Sequence, residues 1–103
     1  MTTVARSPNM TVHEARQRLG HERSSRLTQL RAIEDGAAVA DKELMTAQTA
    51  AIRRVLTEIG AAEDRVADGS YGTCLDCDGR IPVERLEILP YVRYCVSCQQ
   101  RAT

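Results

Sequence analysis

The sequence has very few large aromatic side chains: three tyrosines, no Trp and no Phe among 103 residues. Because aromatic rings supply much of the area buried in protein cores, this scarcity argues against a thick sheet sandwich. The apolar content is carried instead by Ala, Val, Leu and Ile, which suits packed helices. A chain this short buries little apolar area and commonly needs a disulfide, a structural metal or a partner for stability. The four cysteines are the obvious candidates for such a cross-link.

The sequence also lacks an excess charge, with 14 basic and 14 acidic residues. It therefore has no bulk field that would attract nucleic acid or an anionic membrane. No apolar run approaches the roughly 20 residues needed to cross a bilayer, and residues 1–10 lack the apolar stretch of a signal peptide. We expect a cytoplasmic protein without membrane contact. Thiols stay reduced in that compartment, so clustered cysteines favour a metal over disulfides.

The balanced total hides a local charge asymmetry. Residues 12–31 form a basic segment that holds five arginines and two glutamates: Arg16, Arg18, Arg23, Arg26, Arg31, Glu14 and Glu22. Residues 34–43 are acidic, with Lys42 opposed by four carboxylates: Glu34, Asp35, Asp41 and Glu43. The chain is therefore predicted to have a basic arm followed by an acidic turn.

A first helix is predicted from about Thr11, after a flexible N-terminus of residues 1–10. Thr11 and Glu14 have the spacing of a capping box. Apolar residues then follow the three-four spacing of one helix face, although Arg23 interrupts it. The positions are Val12, Ala15, Leu19, Arg23, Leu27, Leu30 and Ile33. Asp35-Gly36 is typical of a helix end or turn.

A second helix has a more regular pattern over about three heptads. Its face is formed by Leu44, Gln48, Ile52, Val55, Ile59, Ala62 and Val66. Asp41 is a candidate cap at its start, and Asp68-Gly69 a candidate end. Gly60 lies inside the run and costs roughly 1 kcal/mol against Ala. We therefore expect this helix to draw support from its neighbour.

Two amphipathic helices separated by five to eight residues predict an antiparallel helical hairpin, residues 11–70, with an acidic tip near residues 34–43. About 22 residues per helix give an arm roughly 33 Å long. A compact three-helix bundle is the alternative. The last third of the chain has no third apolar heptad run, so the hairpin is favoured. The same pattern would fit an intermolecular coiled coil, but we expect a monomer.

The last segment, residues 71–103, contains the four cysteines as Cys-x2-Cys, seventeen residues, Cys-x2-Cys: Cys74, Cys77, Cys95 and Cys98. This interval is typical of a four-cysteine zinc site. Free thiols, disulfides and an iron–sulfur cluster are weaker alternatives. Four thiolates leave no open coordination position, so we predict one structural Zn²⁺ per chain. His13 and His21 lie far away in sequence and are predicted to be solvated surface residues.

The residues around the cysteines resemble a known family. The sequence reads Tyr71-Gly72-x-Cys74-x-x-Cys77, then Ile81-Pro82-x-x-Arg85-Leu86-Glu87-x-x-Pro90, then Cys95-x-x-Cys98-Gln99. This pattern looks like the zinc finger of the DksA/TraR family. The resemblance is carried by the residues between the cysteine pairs, because two Cys-x2-Cys turns alone would not be specific.

The resemblance implies a mainly α fold: an antiparallel helical (coiled-coil) hairpin, a C-terminal four-cysteine zinc finger and a short final helix. It also implies a non-catalytic transcription regulator that binds bacterial RNA polymerase and inserts its hairpin into the secondary channel. The acidic tip residues Glu34, Asp35, Asp41 and Glu43 would then contact polymerase. Arg85 and Pro90 match the family's finger and are expected to support it.

Two regions, the tip and the ppGpp-responsive surface, differ from the family pattern. Longer members often show Asp-x-x-Asp-x-Ala at the tip, whereas here the matching residues are Ala38, Asp41 and Glu43. Members that respond to ppGpp carry basic residues where this chain has Leu89 and Gln99. Because neutral side chains cannot make charge-assisted bonds to a polyphosphate, we predict weak or absent ppGpp binding.

A zinc-ribbon module that binds DNA or RNA directly is the alternative function. Its segment would need a net basic face, but four arginines and four carboxylates cancel here: Arg80, Arg85, Arg93, Arg101, Asp76, Asp78, Glu84 and Glu87. We therefore expect no direct DNA binding. The sequence shows no Ser/His/Asp layout, phosphate-binding glycine loop or open metal site, so an enzyme is not expected.

Overall fold

The fold is mainly helical, as predicted. The computed structural model describes residues 10–36 and 41–102. These contain four helices: α1 (Val12–Asp35), α2 (Lys42–Asp68), α3 (Val83–Ile88) and α4 (Val96–Ala102). α1 and α2 pack against each other as an antiparallel hairpin, and α3 and α4 follow in the cysteine-containing segment. No helix in these ranges has both the length and the apolar character needed to cross a membrane.

Both ends of α1 are fixed by local hydrogen bonds. The Thr11 Oγ1 atom accepts a bond from the Glu14 amide at 3.0 Å, and the Thr11 amide donates to Glu14 Oε1 at 3.2 Å. This is the predicted capping box. At the other end, the Gly36 amide donates to the Ala32 carbonyl at 3.1 Å. The helix of 24 residues therefore begins and ends where the sequence indicated.

The ends of α2 also match the prediction. Asp41 Oδ1 accepts bonds from the amides of Glu43 at 2.8 Å and Leu44 at 3.1 Å. Gly69 ends the helix in the left-handed region, with φ of 87°, and its amide donates to the Arg65 carbonyl. Glycine suits this position because it carries no Cβ. Of the N-terminus predicted to be flexible, residues 1–10, only Met10 is described, and it is half-buried against both cores. Residues 1–9 and the match at Ala38 lie outside the described residues.

The hairpin core is concentrated at the end nearest the cysteines. Buried residues from both helices meet there: Ala15, Leu19, Ile59, Ala62 and Val66. Tyr71 and Tyr91 pack against them from the following segment. The prediction that Leu44 and Gln48 lie on the packed face is wrong, because both are exposed and Leu44 is 56% accessible. Two helices alone leave such positions open, and no described element covers this outer end.

Arg23 interrupts the apolar pattern of α1 because it makes an ion pair across the hairpin. Its guanidinium contacts the Glu63 carboxylate of α2, with Nε 3.5 Å from Oε2. Gly60 lies beside this pair on α2. A methyl group at Gly60 would be 3.8 Å from the Arg23 guanidinium, which is ordinary van der Waals contact. There is therefore room for a larger side chain at position 60, and glycine is not required there for steric reasons.

Replacing Gly60 with alanine is expected to stabilise the hairpin by about 0.5–1 kcal/mol, because alanine has the higher helix propensity and restricts the unfolded chain. The same change at Gly69 should destabilise it by about 1 kcal/mol, since φ there is 87° and a Cβ is strained in this region. Urea unfolding of the two variants beside the parent would measure both. A destabilised Gly60→Ala variant would contradict the geometry.

Candidate metal centre

The four cysteine sulfurs converge on one point. The Sγ atoms of Cys74, Cys77, Cys95 and Cys98 all lie within 4.8 Å of one another. The Cys77 and Cys95 sulfurs are 3.9 Å apart. A tetrahedral ion with Zn–S bonds of about 2.3 Å separates its sulfurs by about 3.8 Å, whereas a disulfide bond measures about 2.05 Å. The four cysteines are therefore positioned to bind a metal, and all four are free thiols.

The first cysteine pair is held in a tight turn by backbone hydrogen bonds. The Cys74 amide donates to the Gly79 carbonyl at 2.8 Å, and the Asp78 amide donates to the Cys74 carbonyl at 3.0 Å. Asp78 adopts a positive φ of 62°, which Asp tolerates better than most residues. The Gly79 amide then reaches the Cys77 sulfur at 3.4 Å. The turn thus orients its second thiol towards the other three sulfurs.

The second pair is brought to the first by the chain around Arg93 and by α4. The Leu75 amide donates to the Arg93 carbonyl at 2.9 Å, which joins the two cysteine turns. The Gln99 amide donates to the Cys95 carbonyl at 2.9 Å and starts the helical hydrogen bonding of α4. Cys98 is consequently fixed within the first turn of that helix.

The cysteine cluster is buried on one side only. Cys74 and Cys98 share a small core with three apolar residues: Ile81, Leu86 and Val92. Cys95 is half-buried, and Cys77 is exposed. The inner pair therefore contributes to packing as well as to the donor set, whereas Cys77 contributes almost solely as a donor.

The thiols have divergent acidities. Burial raises the pKa of the Cys74 thiol, but the backbone amides of Cys77 and Cys95 stabilise its thiolate, and the pKa falls to about 6. Burial, together with the neighbouring Cys95 thiol, raises the pKa of Cys98. Four thiolates this close repel one another, so a bound cation is what would allow all four to ionise. A soft dication such as Zn²⁺ fits this donor set.

Tyr71 joins the metal centre to the hairpin. Its side chain packs against both the hairpin core and the finger core, and its hydroxyl donates to the Pro90 carbonyl at 2.7 Å. Burial raises the pKa of Tyr71 to about 12, so the hydroxyl keeps its proton and remains a donor. Arg85 Nε donates to the Tyr94 carbonyl at 3.4 Å. Both residues expected to support the finger, Arg85 and Pro90, thus make contacts within it.

Two ion pairs also connect the hairpin to the finger. Arg18 of α1 lies 3.7 Å from Glu87 of α3, and Glu58 of α2 lies 2.9 Å from Arg93. Each pair is partly exposed and contributes at most about 1 kcal/mol. They connect the finger to both long helices.

The acidic residues lie at the other end of the hairpin. Glu34 and Asp35 end α1, while Asp41 and Glu43 flank the start of α2, and all four are exposed. The 27 residues of α2 separate the acidic end from the first cysteine turn by about 40 Å at 1.5 Å per residue. His13 and His21 are exposed on α1, as predicted, and neither joins the cysteine cluster.

Sequence reasoning did not single out Arg101. This residue follows Cys98 by one helical turn, and its guanidinium Nη2 lies 3.0 Å from the Cys98 sulfur. Residues three apart on a helix are neighbours, so the Cys98-x-x-Arg101 spacing was the available signal. The spacing alone does not show that the side chain turns towards the sulfur.

The finger matches a known protein family. Residues 69–103 match the model of the prokaryotic DksA/TraR C4-type zinc finger. The chain is 41% identical over 66 residues to general stress protein 16O of Bacillus subtilis, covering 62% of this chain and 39% of that protein. It is 34% identical over 88 residues to an uncharacterized protein of Aquifex aeolicus, covering 84% of this chain and 58% of that one. The chain thus spans less than two thirds of either relative.

The architecture has a counterpart among solved structures. The transcription factor DksA2 of Pseudomonas aeruginosa aligns with a TM-score of 0.53 at 24% identity, over 88% of this chain and 76% of that one. At this identity the likeness concerns the fold: a helical hairpin followed by a cysteine finger. With the match over the finger itself, it confirms the resemblance found in the sequence. Residues 69–103 thus match the prokaryotic DksA/TraR C4-type zinc finger, and most of the chain shares the fold of the DksA2 structure.

Proposed function

We propose that this protein is a non-catalytic transcription regulator that binds bacterial RNA polymerase, with its hairpin entering the secondary channel. The observation that carries the proposal is the placement of exposed carboxylates at the end of the hairpin remote from the finger. A slender arm with a negative end suits a channel whose far end offers basic groups or a metal ion. The DksA-like fold supports the same reading.

The cysteine cluster would hold one structural Zn²⁺ per chain through Cys74, Cys77, Cys95 and Cys98. Four thiolates fill the coordination sphere, so bound zinc supplies folding free energy and offers no position for a substrate. Leu89 and Gln99 are neutral and half-buried, which supports the prediction that ppGpp binds weakly or not at all at this surface.

The finger is poorly suited to direct nucleic-acid binding. Of its arginines, Arg93 pairs with Glu58 and Arg101 with Asp76. Arg85 donates to a backbone carbonyl. These contacts place an acceptor beside each of these cationic groups and reduce the positive charge available for phosphates. Direct binding to DNA or RNA is the alternative function that the experiment below also tests.

Asp41→Asn is the variant that tests the acidic end, because it separates charge from structure. Asp41 Oδ1 caps α2, and Asn caps helices about as well as Asp. The variant should keep its helix while losing a negative charge. We expect its affinity for bacterial core RNA polymerase to fall about tenfold or more, since a hydrogen bond to a charged group contributes about 1.5–3 kcal/mol.

Asp64→Asn is the matched control: an exposed carboxylate on the same helix, near the finger. It should bind polymerase as the parent does. The measurement is a pull-down, followed by titration at physiological salt. If the parent protein does not bind polymerase but binds duplex DNA under these conditions, the proposal is refuted in favour of direct nucleic-acid binding. Equal losses of polymerase affinity in the two variants would show that the acidic end has no special role in binding.

A further inference from the structure

The Arg101 side chain spans the two cysteine turns. It projects from α4, where its guanidinium Nη2 lies 3.0 Å from the Cys98 sulfur. The same nitrogen lies 3.9 Å from Asp76 Oδ2, and Asp76 stands between the cysteines of the first turn. A cation on the last helix is thus in contact with one proposed metal ligand and with the turn that supplies two others.

We propose that Arg101 is a positioning residue for the metal centre: it donates to the Cys98 sulfur and connects the second cysteine turn to the first. The inference rests on the proposed zinc site. According to this inference, Arg101 contributes to the affinity for Zn²⁺ although it is not a ligand. Neither the spacing of the cysteines nor the convergence of their sulfurs requires such a residue.

The electrostatic reason is the charge of the loaded site. Four thiolates around one dication carry a net charge of −2, and Cys98 is almost fully buried. A buried anionic sulfur is costly unless it accepts hydrogen bonds. Arg is permanently protonated, so its bond to a thiolate is charge-assisted at every physiological pH. The bond places a fixed positive charge beside one ligand of a site that would carry a net negative charge.

The geometric reason is the second contact. The Arg101 and Asp76 side chains are both largely exposed, so their ion pair alone stabilises little. It nevertheless directs the guanidinium across the site. A planar, forked group can reach two acceptors at once, whereas an ammonium acts as a point charge. Residues that orient metal ligands in this way commonly change affinity 10–100-fold when removed.

Arg101→Ala tests the inference in the full-length protein, with Arg80→Ala as the control. Arg80 is an exposed arginine of the same finger, and both changes remove one positive charge. Zn²⁺ affinity is measured by competition with a chromophoric chelator. We expect about tenfold or greater weakening for Arg101→Ala, little change for Arg80→Ala, and partial recovery for Arg101→Lys, which keeps the charge.

A spectroscopic readout separates the hydrogen bond from general stability. In Co²⁺-loaded protein, loss of a bond to sulfur should move the sulfur-to-metal charge-transfer band to longer wavelength in Arg101→Ala and not in Arg80→Ala. An unchanged band with unchanged Zn²⁺ affinity in Arg101→Ala would overturn the inference. So would an equal loss in Arg80→Ala, or no recovery in Arg101→Lys. A parent protein that binds no Zn²⁺ would instead refute the zinc site itself.

Discussion

Replacing Cys77 with serine is expected to abolish stoichiometric zinc binding and to unfold the finger, residues 69–102. The apparent binding free energy of structural zinc sites is about 10–16 kcal/mol at pH 7, which is comparable to the whole stability of a small protein. Cys77 is the informative position because it is exposed. Serine there removes a ligand without opening a cavity, whereas Cys74 and Cys98 belong to the finger core.

Ser97→Ala is the control, since Ser97 lies between the second pair of cysteines and is exposed. It should retain one zinc per chain by elemental analysis and the parent's resistance to protease. A chelator should reproduce the Cys77→Ser result in the parent, and added Zn²⁺ should reverse it. Full zinc content in Cys77→Ser, or an absence of zinc in parent protein purified without chelator, would contradict the four-thiolate site.

Ile59→Ala is expected to destabilise the zinc-loaded protein by about 2–5 kcal/mol, the range for truncating a buried aliphatic side chain. Ile59 is fully buried where the two long helices meet. Tyr71 and Tyr91 pack against the same cluster, so the cavity would lie at the joint between hairpin and finger. Denaturant unfolding, monitored by far-ultraviolet circular dichroism, measures the loss.

Ile88→Ala provides the chemically identical change on the surface, because Ile88 is 83% exposed. Its cost should stay within about 0.5 kcal/mol. A loss below about 1 kcal/mol in Ile59→Ala would mean that the burial seen here does not hold the hairpin together. Similar losses at the two positions would lead to the same conclusion.

The helix ends could be predicted from sequence because their determinants are local. The Thr11–Glu14 capping box, the Asp41 cap and the Gly69 end each depend on residues within a few positions of one another. The cysteine cluster was predictable for a related reason. A Cys-x2-Cys turn positions its two thiols by itself, and the fold has only to bring two such turns together.

The contacts between distant residues could not be predicted in the same way. Arg23 was visible as an interruption of the apolar pattern, but its partner Glu63 lies forty positions away. Leu44 fitted the heptad pattern and is nevertheless exposed, since periodicity gives the face of a helix but not the length over which a neighbour covers it. The contact between Arg101 and the Cys98 sulfur could not be predicted, because sequence spacing does not define the direction of a side chain.

The concentration of the hairpin core near the finger has a consequence for how the arm would meet a partner. The inner turns share buried residues with the tyrosines of the next segment, whereas Leu44 and Gln48 of the outer turns are exposed. Separating the outer turns costs less free energy than separating the inner ones, because Leu30 is buried there but the larger cluster lies at the cysteine end. The two helices can therefore adjust their spacing at the acidic end while the cysteine end keeps its geometry. Amide hydrogen exchange would record this as a gradient, fast at the outer turns and slow around Ile59.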